Sequence, residues 1–389
     1  MEPRKSLGLL ALSVTMLAGA TAVQGAGVTD KEIVIGVHSD LSGPASVWGV
    51  PSRNAMQMRF DEVNAAGGIH GRKLRLVVED SQYQVPRAVQ AANKLINRDK
   101  VFAILGGMGT PMNNAILPRM IKANIPNLFP FSAARQMTEP HHALKFAHIS
   151  TYYDHIRAGM AHLAKTAGVK TFCVIYQDSD FGKEILFGAQ DQAKKMGLEL
   201  AARSAHKPTA SDFVAAVAKF KKAKCEAIAM GTIIKDTILP FATARKMGFD
   251  AIFFSSGAGV ASFVAGAKGG ITEGLYGLGS VPPVYPDDSR AIVRKWLEDY
   301  KAKYGKYPGS PAQLGYIGAD LTVMGLDRAG RNLTVEGLVK ALESIKGYKD
   351  IFGGPVQNFS ADNHRGTTAS VLYQVKKGRW VKQTGPLAY

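Results

Sequence analysis

The chain has only two cysteines, Cys173 and Cys225, in 389 residues. A disulfide framework is thereby excluded, and stability has to come from packed cores. Beyond its first residues the sequence has no apolar run of about 20, so no segment is suited to crossing a bilayer and a soluble product is expected. Acidic residues are scarce, 31 against 48 basic ones, which gives a formal charge of +17. Such a surface attracts anions. The Lys and Arg residues are nevertheless scattered instead of forming a stripe, which argues against nucleic acid as a partner. Signatures of catalysis are missing too. The first strand is followed by neither G-x-G-x-x-G nor G-x-x-x-x-G-K-[ST], and there is no G-x-S-x-G elbow. The expectation is a binding protein without cofactor or metal, and no enzyme.

What is present begins with Arg4 and Lys5, an almost uncharged stretch from Leu7 to Ala22, and small residues around Gly25. This pattern is that of a secretory signal peptide, residues 1–25, and it predicts export to the periplasm. Thereafter short Ile/Val-rich runs alternate with amphipathic ones. Glu32–Val37 predicts a strand; Trp48–Asn64, with Met56, Phe60 and Val63 on one face, predicts a helix stopped by Gly67-Gly68. Further strands are expected at Leu74–Val78, Val101–Leu105 and Asn127–Phe129. A second cycle starts at Thr151, with strands at Thr171–Tyr176, Leu198–Ala202, Ala227–Met230, Ala251–Phe254 and Leu275–Leu278. Alternation of this kind requires parallel sheets covered by helices, so the fold class is α/β with two doubly wound, Rossmann-like lobes. Cys173 and Cys225 fall on neighbouring strands of the second lobe. One bridge between them is open, and two buried thiols are the simpler expectation.

In doubly wound sheets ligands collect beyond the carboxyl ends of the strands. Those loops contain Ser39–Gly43, Gly106-Gly107-Met108-Gly109-Thr110, Phe131-Ser132-Ala133, Gln177–Phe181, Gly231-Thr232-Ile233 and Ser255-Ser256-Gly257. Hydroxyls and backbone N–H groups at helix starts suit a carboxylate. Any one of these loops also makes sense as a plain turn; together they favour binding. Trp48 and Phe181 sit at strand-to-helix loops, as a ligand-stacking wall or as ordinary core aromatics. His141, His142, His148, His155 and His162 lack metal-ligand spacing and are expected on the surface or between lobes.

The stretches Ile33–Val37, Leu41–Pro44 and above all Glu62–Leu74, together with Tyr176–Gly182 and Ala244–Phe249, resemble the branched-chain amino acid (Leu/Ile/Val) binding proteins of ABC transporters. The likeness runs over nearly all of the chain after residue 25. It implies a type I periplasmic binding fold with three hinge crossings, near Ala147–Thr151, Val281–Tyr285 and Lys349–Gly353. The lobes would be residues 26–148 plus 284–350, and 149–283 plus 351–389. It also implies a small-molecule carboxylate as ligand, with an ABC permease and its ATPase as partners. Transport of an amide or urea, or service as a ligand-sensing subunit for a receptor, are alternatives.

Carried over by position, the resemblance puts the ligand cover on Trp48 and the carboxylate contacts on Met108, Gly109 and Thr110, with Phe131, Ser132 and Ala133 as a companion loop. Phe181 stands where the family usually has Tyr, and Ile233 where it has an aromatic ring. Gly257 occupies the position of the Glu that pairs with a ligand ammonium. An aromatic or aliphatic acid without an amino group is therefore favoured, with a branched-chain amino acid remaining open.

Overall fold

The computed structural model describes residues 26–389; the expected signal peptide lies outside them. The first sheet contains β1 (Glu32–Ser39), β2 (Lys73–Asp80), β3 (Ala103–Leu105), β4 (Asn127–Leu128) and β5 (Lys145–Phe146), ordered β2-β1-β3-β4-β5 with every pairing parallel. Its helices are α1 (Ser46–Ala65), α2 (Val85–Asn97) and α3 (Thr110–Lys122). The run EIVIGVHS is buried along almost its whole length, as a strand covered on both faces must be.

α4 (Tyr152–Ala167) opens the second cycle, capped by the Thr151 side chain, which accepts from the Asp154 N–H. The second sheet contains β6 (Phe172–Gln177), β7 (Ala202–His206), β8 (Ala227–Gly231), β9 (Ile252–Ser255), β10 (Tyr276–Gly279), β11 (Ser370–Lys376) and β12 (Arg379–Leu387), in the order β12-β11-β10-β9-β8-β6-β7. β11 and β12 are antiparallel additions to a parallel sheet. Helices α5 (Asp180–Lys195), α6 (Val214–Lys222), α7 (Lys235–Lys246) and α8 (Ser262–Ala265) belong to this half, followed by α9 (Ala291–Tyr304), α10 (Ser310–Ala329) and α11 (Val335–Glu343). The last three return to the first core, where Trp296, Leu321 and Leu338 pack with Ile33, Phe60 and Phe129.

Glycine permits one close approach in each half. A Cβ on Gly49 would lie 1.8 Å from the Asp40 carbonyl oxygen, and one on Gly182 would lie 1.9 Å from that of Gln177. Each helix can therefore start hard against the end of its strand, next to the aromatic residue it carries, Trp48 or Phe181.

Two expectations need correction. The strand expected at Leu198–Ala202 begins only at Ala202, where pairing with Cys173 starts; Leu198 and Leu200 instead pack as half-buried side chains on the α4–α5 core. Cys173 and Cys225 are not two separate thiols but a disulfide, with Cα atoms 5.8 Å apart. The parallel pairing of β6 with β8 brings them together, since Cys225 lies two residues before the start of β8.

Three connections join the halves. The first, at 147–151, runs beside the third: the Ala147 N–H donates to the His364 carbonyl and the Gly366 N–H to that of Ala147. Phe352 and Phe359 are still part of the first core. The second connection leaves β10 at Ser280.

Candidate functional site

The first half supplies a rigid rim. Asp40, fully buried, accepts from the N–H groups of Gly43 (2.5 Å) and Ala45 (2.7 Å), while Asp80 accepts from Leu41 N–H (2.9 Å) and the Ser42 hydroxyl (2.6 Å). These bonds fix the turn before α1 and hence Trp48, whose ring meets Phe263 edge-on at 6.4 Å. Next to it, Gly109 precedes α3 with a φ of 91°, a conformation that favours glycine. Thr110 opens α3, so its N–H has no carbonyl one turn back. Its hydroxyl lies 2.7 Å from that of Ser132.

The second half supplies the opposite wall. Asp236 accepts from the N–H groups of Ile233 (3.1 Å) and Ile234 (3.0 Å), and its other oxygen takes Gln177 Nε2 (2.7 Å) and lies 3.1 Å from His206 Nε2. Burial opposes its ionisation, but the bonds from His206 and Gln177 outweigh that and hold the carboxyl below its usual range. The charge thus stays behind the Ile233 loop and pins it. Phe181, at the start of α5, meets Tyr152 edge-on at 4.9 Å.

Between these walls lies a pocket of about 860 Å³, its open mouth included. Trp48, Met108, Gly109, Thr110, Phe131, Ala133, Phe181, Ile233 and Gly257 all line it. Ser132 does not; it sits behind Thr110 as its hydrogen-bond partner. Sequence reasoning missed Tyr83, Tyr152, His155, Ser280, Gln313 and Leu314, which also line it. Tyr83 follows the end of β2, where a doubly wound sheet gathers its ligand contacts. Tyr152 and His155 come from α4, Ser280 from a connection, and Gln313 and Leu314 from α10, where no local pattern marks a site.

Among the described residues lining the pocket none is Asp, Glu, Lys or Arg. Burial pushes the Tyr152 phenol up to about 12 and drives the Tyr83 phenol higher still, so both stay neutral. His155 is lowered to about 4, also by burial. The site is an apolar chamber with a few neutral polar groups and the first residues of α3, α4 and α10 in its wall, and its described lining offers no charged side chain to pair with a ligand cation. Of the two places expected for the histidines, surface or between the lobes, His148 and His155 are not on the surface: both are buried, and His155 forms pocket wall. Among the described residues no three His, Cys, Asp or Glu side chains converge as a metal would need.

Outside the pocket the halves are bonded directly. Arg135 donates from Nε (3.0 Å) and Nη2 (3.1 Å) to the two oxygens of Glu184 on α5, a carboxylate 1% exposed, and stacks 4.0 Å over the Tyr153 ring. Asn114 on α3 donates to Asp180 at 2.9 Å.

The sequence model described as "Periplasmic binding protein" matches residues 32–379. Leu/Ile/Val-binding protein homolog 8 of Brucella abortus (strain 2308) is 26% identical, over 87% of this chain and 84% of its own. Among solved structures, a fatty acid ABC transporter substrate-binding protein from Thermomonospora curvata superposes with a TM-score of 0.83 at 27% identity, covering 92% of this chain and 93% of that one. A solute-binding protein of an ABC transporter from R. palustris, in complex with benzoate, superposes with a TM-score of 0.80 at 17% identity, covering 92% and 97%, a likeness of fold.

Proposed function

The chain belongs to the periplasmic binding protein family, and on that premise we propose that it captures a small organic carboxylate without an amino group between two lobes in the periplasm. It delivers the ligand to the permease and ATPase of an ABC importer. The observation that carries this reading is a pocket lined from both halves in which the described lining residues include a helix start with the Thr110 hydroxyl, backed by Ser132, but no Asp, Glu, Lys or Arg. A carboxylate can be held by N–H and O–H donors alone. An α-ammonium buried there would lack a charge partner, a loss of about 3–5 kcal/mol. The ligands named for two of the similar structures, a fatty acid and benzoate, are acids of this type.

Binding works by closure. Ligand contacts come from both walls, so the ligand stabilises the form in which the lobes meet. We place the first two hinges at 147–151 and 281–285. The third we place at 365–369 rather than 349–353, because Phe352 and Phe359 pack with the first core.

A thermal-shift panel of matched pairs tests the ligand class: 4-methylpentanoate against leucine, and 3-phenylpropanoate against phenylalanine. At about 100 times Kd an acid adds about 2.7 kcal/mol of stability and a visible rise in Tm. Leucine or phenylalanine stabilising the protein while their deaminated partners do not would overturn the proposal.

Arg135→Ala tests closure. It leaves Glu184 without its bidentate partner only when the lobes are together. With Arg135 partly exposed, the penalty is about 1–2 kcal/mol, roughly a 5- to 30-fold rise in the Kd of the acid found above. Isothermal titration reads it, and an unchanged Kd would mean that this pair does not contribute to closure.

A further inference from the structure

His155 stands between the pocket and the place where all three connections meet. Its Nδ1 accepts from the Gly257 N–H at 3.2 Å, and its Nε2 lies 2.7 Å from the Ser150 hydroxyl in the first connection. Ser150 is in turn 2.8 Å from the Ser280 hydroxyl in the second connection and donates to the Ala369 carbonyl at 2.9 Å in the third. The Ser150 N–H donates to the Ser280 hydroxyl at 2.9 Å.

Only one arrangement of protons satisfies this set. Gly257 N–H is a donor, so Nδ1 carries a lone pair and the single ring proton sits on Nε2. It is donated to Ser150. Ser150 then passes its own proton to Ala369, whose carbonyl can only accept, and takes a second one from Ser280. Each hydroxyl has its donors and acceptors in place. An imidazolium would direct an Nδ1–H at the Gly257 N–H, so the geometry excludes the charged ring. Asp154, the charged neighbour on α4, is held by Arg365 (3.1 Å) and Tyr389 (2.5 Å).

Gly257 and His155 also exclude one another's alternatives. A Cβ at position 257 would lie 3.0 Å from His155 Cε1 and 3.4 Å from Nδ1, so the ring occupies the space into which a side chain at 257 would grow.

We propose that His155 is the specificity-determining residue of the pocket: with its lone pair held by Gly257 and its proton by Ser150, it makes a wall that offers no acceptor to a ligand ammonium. This inference rests on the proposed carboxylate function and names the residue that enforces it. Position 257 carries no side chain, and the imidazole fills the space into which one would extend.

The test compares affinities for 4-methylpentanoate and leucine by isothermal titration in wild type, His155→Glu and His155→Gln. Wild type is expected to favour the acid by at least about tenfold. His155→Glu, which places a carboxylate in the wall, is expected to move the ratio toward leucine by about 30-fold or more; His155→Gln, with a neutral acceptor, by about threefold. Wild type preferring leucine overturns the carboxylate reading itself. Wild type preferring the acid, with the ratio unmoved in whichever variant folds, overturns only the role of His155. Nitrogen-15 NMR of the wild-type ring gives an independent answer: the Nε2–H neutral form is expected from pH 8 to about pH 5. A ring carrying protons on both nitrogens near pH 6 would overturn the proposal even if neither variant folds.

Discussion

Cys173→Ala combined with Cys225→Ala is expected to lower the stability of the second half by about 4 kcal/mol. The bridge closes a loop between residues separated by 52 positions, and loop-closure entropy lost from the unfolded chain gives about 4 kcal/mol for that length. For a unit of this size the melting transition should fall by roughly 8–16 °C. The folded form should survive, because β6 and β8 remain paired from Phe172 with Ala227 to Tyr176 with Gly231. Calorimetry of the variant, and of wild type with and without a reductant, measures the effect. A fall of less than about 2 °C would mean that the bridge does not restrict the unfolded chain as loop closure requires.

Thr110→Val should weaken binding of the acid ligand by about 10- to 100-fold, because a hydrogen bond to a charged group contributes about 1.5–3 kcal/mol. The change keeps the shape of the side chain and removes only the hydroxyl. It also leaves Ser132 with no partner but the Ala134 N–H at 3.4 Å, so a modest loss of unliganded stability accompanies it. Ser132→Ala is the informative companion. Ser132 lies behind the pocket and touches the ligand only through Thr110, so its effect should be smaller, and the double variant should lose less than the sum of the two. Titration with the acid decides: a Kd for Thr110→Val equal to that of wild type removes Thr110 from the carboxylate contact.

Much of this was legible in the sequence because doubly wound sheets put function at predictable places. The rule that ligands gather beyond strand ends led to the loops that hold Met108-Gly109-Thr110, Phe181, Ile233 and Gly257, the family resemblance singled out these positions within them, and all of these line one pocket. The buried run of β1 and the glycine stop after α1 follow from periodicity and turn chemistry. The misses have a common cause. Ser132 follows a strand as expected, yet it faces Thr110 rather than the pocket, and nothing in the sequence indicates which way a loop hydroxyl turns. Gln313 donates to the Pro282 carbonyl across 31 residues and lines the pocket from a helix that does not follow a strand. His155 sits in an amphipathic helix pattern, where an imidazole has no visible distinction from a surface one. Its burial depends on Ser150, Gly257 and the three connections being brought to one point.

The sequence by itself determined the α/β alternation, the parallel sheets, the small polar loops and the glycine at 257, because each depends on residues close together along the chain. Tertiary structure alone decided the cysteine pairing, the absence of Asp, Glu, Lys and Arg from the described lining of the pocket, and the surroundings of His155. These depend chiefly on distances between segments far apart in the chain, 52 residues for the cysteines and 102 for His155 and Gly257, which periodicity does not encode and which only the packing of the two halves and their three connections sets.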